Sequence, residues 1–147
     1  MKLKNKIVLI TASTRGIGLA CVKACAEEGA AVYMAARNLD LAKEEAEKLI
    51  SQGYNVKYVY NDASKPESFI TMIEDVIKDS GRIDVLVNNF GTSNPGKDLD
   101  FSNTDTDVFL DTVIINLRSV FAASKEAVKY MAKQGGGSII NISSVGG

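Results

Sequence analysis

Ser13, Thr14, Arg15, Gly16, Ile17 and Gly18 lie between an uninterrupted apolar run, Ile7 to Ile10, and a stretch rich in small apolar residues. Two glycines at such a junction permit a tight turn and close approach of backbone to a ligand. The first amides of a helix starting there lack intrahelical partners and sit at the positive end of its dipole, which makes the turn a seat for a phosphate, with a pyrophosphate the natural guest. A glycine pair in this position also serves close packing of helix on sheet, and that reading stays open. Ala12 occupies the first glycine position of the usual dinucleotide fingerprint, and its spacing to Gly16 is one residue longer. No Gly-Lys-Ser/Thr follows, which excludes a Walker loop.

Arg37 is the second residue type in a telling place. In dinucleotide sites an acid at the end of the second strand binds the adenosine ribose and repels a 2'-phosphate, and here Ala36 stands in that position. Arg37 follows it and Arg15 lies in the glycine turn; planar guanidinium forks match phosphate geometry. The pair favours NADP(H) over NAD(H), against the plainer reading of two solvated surface arginines. Asp62 suits either adenine binding or a turn cap. Asn88 and Asn89 either face a ligand or brace strands, and Gly91 opens a polar connection, residues 91–103, long enough to border a substrate. Asn116 interrupts a helical apolar stripe, so it is either a water-binding functional group or a satisfied core polar residue.

Several chemistries are excluded by composition. The 147 residues contain no histidine, which removes Ser-His-Asp and Cys-His catalysis and the commonest zinc ligand. A net charge of -1 without a basic block argues against nucleic acid. Cys21 and Cys25 fit buried packing residues in a reduced, cytoplasmic setting better than a redox motif. The apolar run after Lys2, Lys4 and Lys6 is too short for a signal peptide, and nothing approaches a membrane span, so a soluble protein is expected. At 46% hydrophobic residues the chain can build a substantial core as one domain over residues 1–147.

The elements that must hold these residues alternate. Strands are expected at 7–10, 31–36, 56–60, 83–89 and 138–143, and the uninterrupted apolar character of the first two suits burial on both faces of a parallel sheet. Helices are expected at 16–28, 40–52, 66–78 and 104–134, the third opened by a capping box of Ser64, Pro66 and Glu67. In the last helix Val113, Leu117, Val120, Phe121, Val128 and Met131 trace a stripe broad enough to include a subunit contact. This α/β alternation predicts a doubly wound, Rossmann-type parallel sheet with helices on both faces, five strands in the order 3-2-1-4-5, and a ligand crevice at the strand carboxyl ends.

Taken together, TASTRGIG (11–18), Asp62, NNFG (88–91), Asn116 within INLRSVF and NISSVGG (141–147) resemble the short-chain dehydrogenase/reductase family over the whole chain. TASTRGIGLA and NNFG look most like bacterial 7α-hydroxysteroid (bile acid) dehydrogenases. The resemblance implies hydride transfer between a nicotinamide cofactor and a secondary alcohol or ketone, a steroid or bile acid included. It implies that Ser13, Arg15, Ile17 and Arg37 line the adenosine phosphate side, Asp62 and Ala63 the adenine, and Asn89 the ribose near the nicotinamide. Asn116 would hold a proton-relay water, and Ser144, rather than Ser143, would bind the substrate oxygen.

The family's Tyr-x-x-x-Lys follows the catalytic serine, and in this chain Ser144 is followed by three residues only. The expectation is therefore a truncated, cofactor-binding part of a reductase, inactive alone, with later strands missing, an open fifth strand, and a homo-oligomer in the full-length parent. A nucleotide- or partner-binding module without chemistry is the alternative from another class, and a methyltransferase with a similar sheet is a weaker one.

Overall fold

A computed structural model of the chain describes residues 1–144; Val145, Gly146 and Gly147, the end of the NISSVGG segment, lie outside the described residues. Five strands, β1 (Ile7–Thr11), β2 (Ala31–Ala36), β3 (Val56–Tyr60), β4 (Val85–Asn88) and β5 (Ser138–Asn141), alternate with α1 (Gly16–Glu27), α2 (Leu39–Ile50), α3 (Ser68–Ser80) and α4 (Thr106–Lys133). They form one parallel sheet in the expected order β3-β2-β1-β4-β5.

The central strand explains the arrangement. Val8, Leu9 and Ile10 are wholly buried, which is worth about 1.5–3 kcal/mol for each side chain. Because side chains alternate along a strand, Leu9 points into one core layer while Val8 and Ile10 point into the other. The first layer joins Leu9, Tyr33, Val59 and Leu86 to Phe69, Met72, Ile73 and Val76 of α3 and Ala123, Ala127 and Met131 of α4. The second joins Val8, Ile10, Val32, Met34 and Val87 to Val22 and Ala26 of α1 and Ala46 and Leu49 of α2. Cys21 and Cys25 are free thiols packed on this second layer, and burial, with Cys21 adding to it, pushes the Cys25 thiol up. That favours the protonated, unreactive form.

Element ends differ from the sequence expectations by a few residues, with physical causes. No capping box forms at α3. Its N-cap is Glu67, without a side-chain cap, and Ser64 instead donates its amide and hydroxyl to Asp62 Oδ1 at 2.9 and 2.7 Å. β4 ends at Asn88 because Asn89 turns away, its amide donating to the Val87 carbonyl. α4 starts at Thr106, where the Asp105 carboxylate caps the amides of Asp107 and Val108. The expected stripe on α4 divides: Met131 is buried, while Leu117, Phe121 and Val128 face outward with Phe109, Leu110 and Ile114. β5 pairs only with β4 among the described residues, and its Ile140 is about half exposed.

A buried carboxylate at the opposite end of the sheet fastens its start. Asp84 accepts from the Ile7 amide at 2.9 Å and from Arg82 at 2.6 and 3.0 Å, with Lys6 at 3.8 Å. Burial pushes its carboxyl up, but Arg82, the Ile7 amide and Lys6 outweigh that and hold it below the usual range.

Candidate functional site

The carboxyl ends of β1, β2, β3 and β4 open on one cleft of about 570 Å3. Its location follows from topology: the chain leaves β1 toward α1 on one face and leaves β4 toward α4 on the other, so the loops part and leave a crevice. Of the residues expected from sequence, Thr14, Arg15, Arg37, Asp62, Ala63 and Gly91 line it. Ala12 and Phe90, within the motifs TASTRGIG and NNFG, line it too, as do Asn61, Thr92 and Ile115, whose types carry no signal by which sequence alone would single them out.

The glycine turn is built from inside. Thr11 is buried at the end of β1, and its hydroxyl accepts from the amides of Asn89 and Phe90, both at 2.9 Å, tying the end of β4 to the end of β1. Asn89 returns the tie, donating its side-chain amide to the Thr11 and Ala12 carbonyls at 3.2 and 3.0 Å. Asn89 thus braces the strand ends. Asn88 braces the other flank: its buried amide donates to Ser124 of α4 at 3.0 Å and Asn141 of β5 at 2.9 Å.

Ser13 is buried with its hydroxyl toward the Ala35 carbonyl at 3.5 Å, so it supports the turn from behind. Gly18 is buried as well; a methyl placed on it would lie 2.7 Å from Asn89 Nδ2 and 2.8 Å from Ser13 Cα. The glycine therefore allows α1 to seat against the turn. Gly16 has φ of +55° with open space around it, so its absent side chain serves conformation. Ile17 is exposed at the start of α1.

Electrostatically the turn suits an anion. Arg15, the N-cap of α1, gives no side-chain acceptor to the first amides, and the first turn carries no acid. Among the described residues no ion pair engages Arg15 or Arg37. Across from them the Ser64 hydroxyl and amide, the Tyr60 hydroxyl and the charge of Arg37 hold the Asp62 carboxyl below its usual range, so it is an anion at neutral pH.

Toward the other end of the cleft Asn116 clasps the loop. Its amide nitrogen donates to the Thr92 carbonyl at 2.7 Å and the Thr112 carbonyl at 2.8 Å, while its oxygen accepts from the Thr92 amide at 2.9 Å. The side chain is a satisfied polar group that fixes Thr92 in the cleft wall. Ser144 lies just beyond β5, at the carboxyl end of the sheet and exposed. No group of three metal-ligating side chains occurs among the described residues, and no helix there is long and apolar enough to cross a membrane.

Comparison with known proteins accords with this geometry. The family model for short chain dehydrogenase matches residues 6–147. A 7alpha-hydroxysteroid dehydrogenase of Paraclostridium sordellii is 47% identical over 98% of this chain and 54% of its own length. One from Clostridium sardiniense is 44% identical over 99% of this chain and 55% of its own. Among solved structures, a gluconate 5-dehydrogenase from Burkholderia cenocepacia J2315 in complex with NADP and tartrate superposes with a TM-score of 0.88 at 30% identity, covering 98% of this chain and 55% of that one. The chain spans about half the length of the curated relatives it matches.

Proposed function

Since the chain belongs to the short-chain dehydrogenase family, whose members are oxidoreductases using a nicotinamide cofactor, we propose that it forms the NADP(H)-holding part of an enzyme acting on a secondary alcohol or ketone. The substrate class we assign is a hydroxysteroid such as a bile acid, supported by the relatives named 7alpha-hydroxysteroid dehydrogenases. The observation that carries the cofactor reading is the pair Arg15 and Arg37 lining one cleft, with Ala36 at the end of β2 where an acid would repel a 2'-phosphate. The uncapped start of α1 and the absence of an ion pair on either arginine among the described residues leave donors for phosphate.

Each group has a part. Arg15 and Arg37 grip the 2'-phosphate as planar forks. The amides at Gly16, Ile17 and Gly18 receive the pyrophosphate, and Ser13 and Thr14 shape the turn before them. Asp62 and Ala63 border the adenine. Asn89 holds the turn against which the nicotinamide-side ribose lies, and Gly91 borders it. The bound nicotinamide supplies hydride chemistry at the substrate carbon. Ser144 donates a hydrogen bond to the substrate oxygen, and Asn116 keeps the adjoining loop in place at Thr92.

On this reading residues 1–147 act as one cofactor-binding domain, cytoplasmic, in an enzyme that forms a homo-oligomer. By themselves these residues bind cofactor without turnover, because no tyrosine and lysine follow Ser144 in them. A nucleotide-binding module that docks a partner is the second reading, favoured by the outward apolar residues of α4. Alanine at Arg15 or Arg37 is the test: each substitution should weaken NADPH at least tenfold and leave NADH binding unchanged, as expected for a charge-assisted pair. Equal loss of both cofactors would refute the assignment.

A further inference from the structure

We propose that Tyr60 is a specificity-determining positioning residue of the cleft: its phenol holds the Asp62 carboxylate away from Arg37 and so keeps that guanidinium for a phosphate. The inference rests on the cofactor reading above and deepens it. Tyr60 ends β3 and pairs in register with Ala36, the position at the end of β2 that lacks an acid. Its hydroxyl donates to Asp62 Oδ2 at 3.2 Å, while the Ser64 amide and hydroxyl hold Oδ1. Lys65 lies over the ring, its ammonium 5.5 Å from the ring centre, and helps to fix it.

Asp62 is the acid that matters because it lines the same cleft as Arg37. After the Ser64 and Tyr60 hydrogen bonds, the Arg37 charge also acts on it, yet no ion pair joins the two among the described residues. Asp40 lines a second hollow with Arg37 and Tyr60, and it makes no ion pair with Arg37 there either. A carboxylate with both oxygens already accepting gains little by turning to the guanidinium. Released from Tyr60, Oδ2 would be free to pair with Arg37. Such a pair would return to the end of β2 the negative charge that Ala36 leaves out, and a 2'-phosphate would have to displace it.

The test is Tyr60→Phe in the same chain, with NADPH and NADH binding measured by calorimetry and the pair of titrations repeated in an Asp62→Asn background. Phenylalanine keeps the ring that Lys65 covers and removes only the donor. NADPH should bind about threefold more weakly, the worth of an exposed ion pair, and NADH should be unchanged. With Asp62→Asn in place no carboxylate at that position can pair with Arg37, so the same substitution should leave the ratio of NADPH to NADH affinity unaltered. Equal weakening of both cofactors, or no change in either, would overturn the proposal, and so would a selective loss that persists in the Asp62→Asn background. Failure of the unsubstituted chain to bind either cofactor would instead refute the cofactor reading itself.

Discussion

Gly18→Ala tests how the glycine turn is built. On helix propensity alone the substitution should stabilise α1 by about 1 kcal/mol. The structure predicts the reverse, because the new methyl would meet the Ala12 carbonyl oxygen, Asn89 Nδ2 at 2.7 Å and Ser13 Cα at 2.8 Å. Two of these three are backbone atoms of the turn, which cannot swing aside as a side chain can. Overpacking of this kind costs about 1–3 kcal/mol. Displacing Asn89 also weakens its bonds to the Thr11 and Ala12 carbonyls, at about 1 kcal/mol each. After the propensity gain the net loss is about 2–4 kcal/mol, a fall of about 10 °C in melting temperature. Urea unfolding followed by circular dichroism reads the same quantity. A variant as stable as the parent, or more so, would refute the close-seating argument and with it the account of why a glycine stands at this position.

Asp84→Asn should lower stability at pH 7 by about 1–2 kcal/mol, since the partly buried carboxylate no longer pairs with Arg82 and Lys6. The folded-state pKa of Asp84 is depressed, so its contribution is present above the unfolded value of about 3.9 and is lost as pH falls through the lower folded value. Acid melts of the variant should accordingly show a shallower decline below about pH 4 than the parent; identical slopes would count against the pairing. Asn116→Ala removes both backbone bonds to Thr92, and faster hydrogen exchange at the Thr92 amide, with a stability loss of about 1–3 kcal/mol, is the expected result.

Much of the fold was legible because the central strands β1, β2 and β4 are buried on both faces. IVLIT and AVYMAA are apolar without interruption, so their type does not depend on neighbours, and strand order follows from right-handed crossovers in a parallel sheet. Helix ends were less legible. Ser64 and Glu67 have a capping-box spacing, yet the Asp62 carboxylate competes for the Ser64 amide and wins, and local spacing cannot weigh that competition.

The site was legible in outline only. The strand-to-helix turn and the absent acid at Ala36 can be read from residue types, since both depend on a single chain segment. Whether Asn89 faces a ligand or braces strands depends on Thr11, 78 residues away in sequence, whose carbonyl and hydroxyl the asparagine meets. Ser13 likewise turns inward because the Ala35 carbonyl lies behind it, a neighbour supplied only by the pairing of β1 and β2. Ala12 stands at the first glycine position of the fingerprint, yet its residue type hides the left-handed backbone, since alanine ordinarily avoids that conformation.

The central claim is that this chain carries an NADP(H) cleft, and fluorescence titration of the 147-residue chain with NADPH and NADH tests it most directly. Saturable binding of NADPH, at least tenfold tighter than NADH, with no turnover of a bile acid panel in the same samples, is the expected result. Binding of NADH equal to or tighter than NADPH would contradict the role given to Arg15 and Arg37, and no binding of either would contradict the cleft as a cofactor site.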